Sequence, residues 1–181
     1  MTLLILYLVL ALGVSFLCSI LEAVLLSVNA PFIAALVNDE HPAGPRLEKL
    51  KDDVDRPLAA ILSLNTIAHT VGAAGVGAEA AHLFGDHTVG IVSAVLTLLI
   101  LVLSEIIPKT LGASHWRALA PMVARILGPL IVLMWPLVQL SRGISKLLKA
   151  KTEAAISREE VSAMAELGAE QGVIAESETH I

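Results

Sequence analysis

Glu105 stands just past a long apolar run, Val89 to Leu103, and three residues before Pro108. An ionised side chain in the hydrocarbon of a bilayer costs at least about 2.5 kcal/mol, so a carboxylate there is paired, protonated or turned to water, and is a functional candidate. Pro108 has no N–H, and in a regular helix it leaves the carbonyl four residues earlier, that of Ser104, without its backbone donor. Lipid offers no water to such an oxygen, which must be buried in protein, face a wet cavity or meet an ion. In an earlier apolar stretch Ser15, Ser19 and Glu22 are spaced by four and three, which puts them on one helix face. In another, Asn65, Thr66 and His69 set polar atoms on one side.

Singly, each group has an ordinary reading. Ser15 and Ser19 fit a small-residue packing seam, and a buried Asn65 fits interhelical glue worth about 0.6 kcal/mol. His69 reads as a satisfied helix-facing histidine, and Glu22 as a group reaching headgroups or a lysine. Together they make a different object. Two hydroxyls, an amide oxygen, a carboxylate and a liberated main-chain carbonyl form an all-oxygen set suited to a hard cation such as Mg²⁺. The set holds no thiolate, the chain has no His-Glu-x-x-His helix, and His69 has no serine and acid partners at an elbow motif. No nucleophile, base and oxyanion group can be assembled, so the chain does not read as an enzyme. One carboxylate only half neutralises a divalent ion, so affinity is modest unless Glu22 contributes, and some water stays on the ion.

The elements that must position these groups follow from composition. At 181 residues, 56% hydrophobic and 16% charged, with a mean hydropathy of +0.79, the chain is an integral membrane protein. Aromatics are only 3%, which leaves packing to Ala, Leu, Val, Ile and Gly, the style of helices that approach closely in lipid. The single Cys18 excludes an intramolecular disulfide and a Cys-rich metal centre. Residues 1–28 predict a first span, too long and without the basic start of a signal peptide. Residues 58–83 predict a second, polar-lined span and 89–107 a third, closed by Pro108. Between the first two, residues 29–56 are polar and belong in water, with short amphipathic pieces.

Residues 119–140 are apolar enough to cross, yet contain Arg125 and three prolines. Arg46, Lys49, Lys51 and Arg56 place the first loop in the cytoplasm, and Lys109, Arg117, Arg142, Lys146, Lys149 and Lys151 place both flanks of 119–140 there too. The expected fold is therefore an all-α membrane protein. It has three transmembrane helices, the N-terminus outside, and a cytoplasmic juxtamembrane belt in which 119–140 lies along the interface or dips in as a re-entrant piece. Residues 1–150 form this membrane domain, and 151–181 a short acidic helical segment starting near Ser157 with a serine cap and Glu160 three residues on.

The runs Ser15-Phe-Leu-Cys-Ser19-Ile-Leu-Glu22, Leu62-Ser-Leu-Asn65-Thr66-Ile-Ala-His69 and Ser104-Glu105-Ile-Ile-Pro108-Lys109 resemble the transmembrane domain of the CNNM/CorC family of magnesium transporters, and occur in family order. The resemblance implies a homodimer in the cell membrane that exports Mg²⁺ with a link to Na⁺ influx, and no nucleic-acid partner. It also implies an ion site made by the Ser15 and Ser19 hydroxyls, the Asn65 side chain, the Ser104 carbonyl and the Glu105 carboxylate, with Pro108, Glu22 and His69 in support. Two positions depart from the family pattern: Ser104 replaces a glycine, which a carbonyl ligand tolerates, and His69 replaces an asparagine, which keeps it out of the ligand shell. The acidic tail resembles the start of a helical bundle leading to a nucleotide-binding CBS pair, and ending at Ile181 reads as a truncated or short form. The alternative function is a membrane-embedded Mg²⁺ sensor or anchoring module that binds the ion and moves none.

Overall fold

The computed structural model describes residues 1–149, and the expected acidic helical segment 151–181 lies outside the described residues. The chain divides into two units, 1–142 and 143–181, and every group of the candidate site belongs to the first. The described backbone is helical: α1 (Thr2–Ser27), α2 (Ala30–Asn38), α3 (Gly44–Asp52), α4 (Asp55–Phe84), a 3₁₀ turn (Asp86–Thr88), α5 (Val89–Leu99), a π-helical segment (Ile100–Ile106), α6 (Ile107–Ser114), α7 (Trp116–Leu133) and α8 (Trp135–Lys149). No strand occurs among the described residues. This is the all-α membrane fold that the composition requires.

Local chemistry sets the boundaries. Asn29 caps α2, its side chain accepting from the Phe32 N–H at 3.1 Å, and Pro31 occupies the first turn, where a missing N–H costs nothing. α3 places Lys49 and Lys51 in its last turn, where the helix dipole favours positive charge. Lys51 Nζ also donates to the Leu25 carbonyl at 3.3 Å, supplying a donor at the C-terminal end of α1, where helical carbonyls run out of partners. Gly85 ends α4 with φ of 89°, a conformation that favours glycine.

Pro108 does not close the third span, contrary to the sequence expectation. The helix runs on to Ser114, because the backbone widens into the π segment just before the proline and Pro108 then falls in the first turn of α6. The wider register is explicit at Ile107, whose N–H donates to the Val102 carbonyl five residues back.

Four stretches are long and apolar enough to cross a membrane: Thr2–Ser27, Asp55–Phe84, Asp86–Ser114 and Trp116–Leu133. The fourth is α7, which overlaps the segment 119–140 expected at the interface. That segment is not one element, since it breaks at Met134 between α7 and α8. α7 buries Ala120, Val123, Ala124, Leu127, Leu130 and Ile131, a stripe at helical spacing, against a core shared with Leu21, Val24 and Leu25 of α1, Leu47 of α3 and Ile61 of α4. The polar α3 lies along the middle of α7, where Arg46, Lys49 and Leu50 face Ala124, Arg125, Gly128 and Pro129 across a cavity of about 440 Å³. Phe32 meets Trp116 edge to face at 5.0 Å, and Arg142 pairs with Asp53 at 3.1 Å, so the start of α7 and the middle of α8 are each tied to the first loop.

α1 is the central helix, and small residues let its neighbours approach. A Cβ on Gly72 of α4 would collide with Ala11 Cβ, and one on Gly112 of α6 would stand 2.9 Å from Ala23 Cβ. Leu3, Val9, Ile91 and Leu98 point outward, as lipid-facing side chains do. Gly72→Ala is expected to lower the thermal unfolding midpoint in detergent, at a cost of about 1–3 kcal/mol for overpacking. Gly77→Ala, whose added methyl meets nothing within 4 Å, should leave it unchanged or raise it slightly.

Candidate cation site

Three stretches of backbone converge where α1 crosses α4 and the π segment. Ser15 and Ser19 of α1 are 0% and 1% exposed, and Ser104 of the π segment is 0% exposed, so the polar floor of the site is sealed from solvent. Ser19 Oγ donates to the Ser104 carbonyl at 2.6 Å. The Ser104 hydroxyl turns back to the Ile100 carbonyl at 2.8 Å, so this residue presents only its main-chain oxygen to α1.

Asn65 of α4 donates through Nδ2 to Glu105 Oε1 at 3.2 Å. A carboxylate only accepts, so this bond sets the amide's orientation. The other amide atom, Asn65 Oδ1, is buried and has no hydrogen-bond partner. A buried acceptor left unpaired costs about 1–3 kcal/mol, which makes this oxygen the one conspicuous unmet demand at the site.

His69 lies one helical turn beyond Asn65 on the same face of α4, and its Nε2 is 2.6 Å from Ser15 Oγ. It was expected to support the site from outside the ligand shell, and it touches one of the expected ligands, Ser15. Thr66, read from the sequence as facing the same way, does not. It is exposed and lines a separate cavity with Leu62, Ser63, Ile67, Leu137 and Ser141, because a one-residue step turns a helix by roughly 100°.

Sequence reasoning missed Lys109 as a member of the site. Its Nζ stands 3.2 Å from Glu105 Oε2 and 3.1 Å from Glu22 Oε2. The signal was available, since Glu105 and Lys109 are four residues apart, the spacing of an ion pair on one helix face. It was hidden by the expectation that the helix stops at Pro108, whereas the helix continues and keeps both residues on one side. Glu22 thus reaches a lysine, one of the two ordinary readings it had. Two carboxylates against one ammonium leave the cluster with a single net negative charge. The Lys109, Glu105 and Glu22 side chains are 44%, 25% and 22% exposed, so the charged end is open while the hydroxyl end is buried.

Among the described residues no group of three or more His, Cys, Asp and Glu side chains could hold a metal ion. What the site offers is hydroxyls, an amide oxygen, a main-chain carbonyl and carboxylate oxygens, donors that suit a hard cation and poorly suit a soft one.

A family model describing the cyclin M (CNNM) transmembrane N-terminal domain matches residues 5–178. The chain belongs to the CNNM family. Among the relatives of this CNNM domain, a UPF0053 protein of Synechocystis sp. is 34% identical over 158 residues, covering 87% of this chain and 46% of the relative. The UPF0053 inner membrane protein YfjD of Escherichia coli is 30% identical over 127 residues, covering 70% of this chain and 30% of its own length. A DUF21 domain-containing chloroplastic protein of Arabidopsis thaliana is 30% identical over 146 residues, covering 77% and 22% respectively. The chain therefore spans less than half the length of each of these relatives. Family and fold agree on a multi-pass membrane domain.

Ser19→Ala should destabilise the domain by about 1–3 kcal/mol, because it strips the side-chain donor from the buried Ser104 carbonyl. Ser27→Ala is the matched control, since the Ser27 hydroxyl only back-bonds to Ala23 of its own helix at 2.7 Å, and it should change little. Denaturant or thermal unfolding in detergent reads both.

Proposed function

We propose that this CNNM domain carries Mg²⁺ outward across the bilayer, binding it through the Ser15 and Ser19 hydroxyls, the Asn65 amide oxygen, the Ser104 carbonyl and the Glu105 carboxylate. The observation that carries this reading is the buried, unpartnered Asn65 Oδ1 beside an intramembrane carboxylate. Neutral oxygens with a single directly engaged carboxylate hold a divalent ion loosely enough to let it go, as transport demands. The bound ion keeps part of its water, since Mg²⁺ dehydrates reluctantly. Coupling to Na⁺ influx and assembly as a homodimer belong to the same proposal and rest on the family resemblance.

The proposed topology keeps three spans, with the N-terminus outside and the C-terminus cytoplasmic. In support, α3 with Arg46 and Lys49 packs along the middle of α7 beside Arg125. Carrying α7 across the bilayer would draw these three cations toward the hydrocarbon, at a cost of at least about 2.5 kcal/mol each at its centre. With α7 and α8 along the cytoplasmic interface, Arg46, Lys49, Lys51, Lys109, Arg117 and Arg142 all lie on the side that basic residues favour. Single cysteines placed at Met122 and Val132 in a Cys18→Ser background should be labelled by a membrane-impermeant maleimide from the cytoplasmic side. Protection of both from either side, or labelling of Val132→Cys from outside, would replace this topology with four spans.

In liposomes the wild-type chain is expected to move Mg²⁺, and Glu105→Ala to reduce the flux at least about tenfold, the effect of removing roughly 1.4 kcal/mol of interaction. Asn65→Ala should weaken the Mg²⁺-dependent rise in unfolding temperature. Equal flux in wild type and Glu105→Ala refutes the transport site. Mg²⁺ binding without flux assigns the domain to sensing or anchoring instead.

A further inference from the structure

Lys109 contacts the site without belonging to its ligand set. Its ammonium bridges carboxylates from two helices, Glu22 of α1 at 3.1 Å and Glu105 at 3.2 Å. The other oxygen of Glu105 is held by the Asn65 amide N–H at 3.2 Å. Both oxygens of the carboxylate are thus engaged, by a cation on one side and a donor on the other. Either would repel a metal ion. The amide resolves the conflict by rotation, because turning it over presents Oδ1 in place of Nδ2. The ammonium has three donors and no acceptor, so it has to leave. Its side chain is 44% exposed, and a second carboxylate, that of Glu22, is already within reach.

We propose that Lys109 is a tethered counter-cation, neutralising Glu105 while no divalent ion is bound and passing to Glu22 alone when the ion arrives. Loading is then an exchange of one cation for another. This rests on Glu105 being an ion ligand. The charge count shows what the exchange achieves. Without the ion, two carboxylates and one ammonium sum to −1, and with a divalent ion the sum is +1. Without Lys109 the same two states would be −2 and 0. The lysine therefore spares the empty site a doubly negative charge inside the membrane and keeps the loaded site from being too stable to empty. Glu22 is the resting place that makes the handover local, since the ammonium need not move into bulk water or lipid.

Mg²⁺ titration calorimetry on the purified chain in detergent tests the exchange, with wild type, Lys109→Gln, Lys109→Arg, Glu22→Gln and Glu105→Gln. Lys109→Gln should bind Mg²⁺ about tenfold more tightly, equivalent to roughly 1.4 kcal/mol. It should also unfold at a lower temperature without Mg²⁺ and gain a larger Mg²⁺-induced rise than wild type. Lys109→Arg, which keeps both ion pairs, should bind about threefold or more weakly, because a guanidinium grips a carboxylate through two parallel hydrogen bonds. Glu22→Gln should weaken binding as well, having removed the place to which the ammonium withdraws. Were Lys109 only a clip between α6 and α1, Lys109→Gln would weaken binding together with Glu22→Gln, and Lys109→Arg would match wild type, and either result overturns the exchange. Loss of binding in Glu105→Gln with unchanged affinity in Lys109→Gln discards the exchange and keeps the ion site. Absence of Mg²⁺ binding by wild type discards both.

Discussion

A carboxylate held between apolar helices has to be neutralised, and the arrangement around Glu105 follows from that constraint. Lys109 supplies charge, Asn65 supplies a donor, and Glu22 shares the ammonium from the facing helix. These contacts reach across three stretches of helix, so the electrostatic requirement of one residue also fixes how α1, α4 and α6 stand relative to one another. The close approach at Gly72 and Gly112 serves the same end, because hydrogen bonds near 3 Å across helices need backbones without intervening side chains.

The π segment is the structural device that makes the site. A regular α-helix reaching Pro108 would either break or bend at a clash with the preceding turn. Widening the backbone over Ile100–Ile106 absorbs the proline and lets the helix continue to Ser114. It also leaves the Ser104 carbonyl where the Ser19 hydroxyl can meet it at 2.6 Å. A continuous helix is what brings Lys109 back onto the Glu105 side. The π segment is thus tied both to an oxygen at the candidate site and to the cation beside it.

Much of the site was legible because its members share helical spacing. Ser15, Ser19 and Glu22 line one face of α1, and Asn65 and His69 one face of α4, as their separations of three and four require. Thr66 departs from that face because adjacency in sequence is not adjacency on a helix. Lys109 reads from sequence only as a cytoplasmic charge, because a proline ordinarily stops a helix. A breaker stops a helix only where the backbone has no other way to satisfy its carbonyls, and the π register was one.

Hydropathy, charge asymmetry and residue spacing determined by themselves that this is an all-α membrane protein, which residues share a helix face and which oxygens are candidates for a cation, since these depend on local periodicity and on the cost of polar groups in lipid. Only the tertiary structure decided that the Ser19 hydroxyl meets the Ser104 carbonyl, that Asn65 keeps one oxygen unpartnered, and that Lys109 spans Glu22 and Glu105. Those are contacts between residues 40 or more positions apart, apart from the Lys109–Glu105 pair at i,i+4, which the π-helical route past Pro108 preserves. Their geometry depends on how closely the helices pack and on the register with which one backbone passes a proline, and neither is a property of any single stretch of sequence.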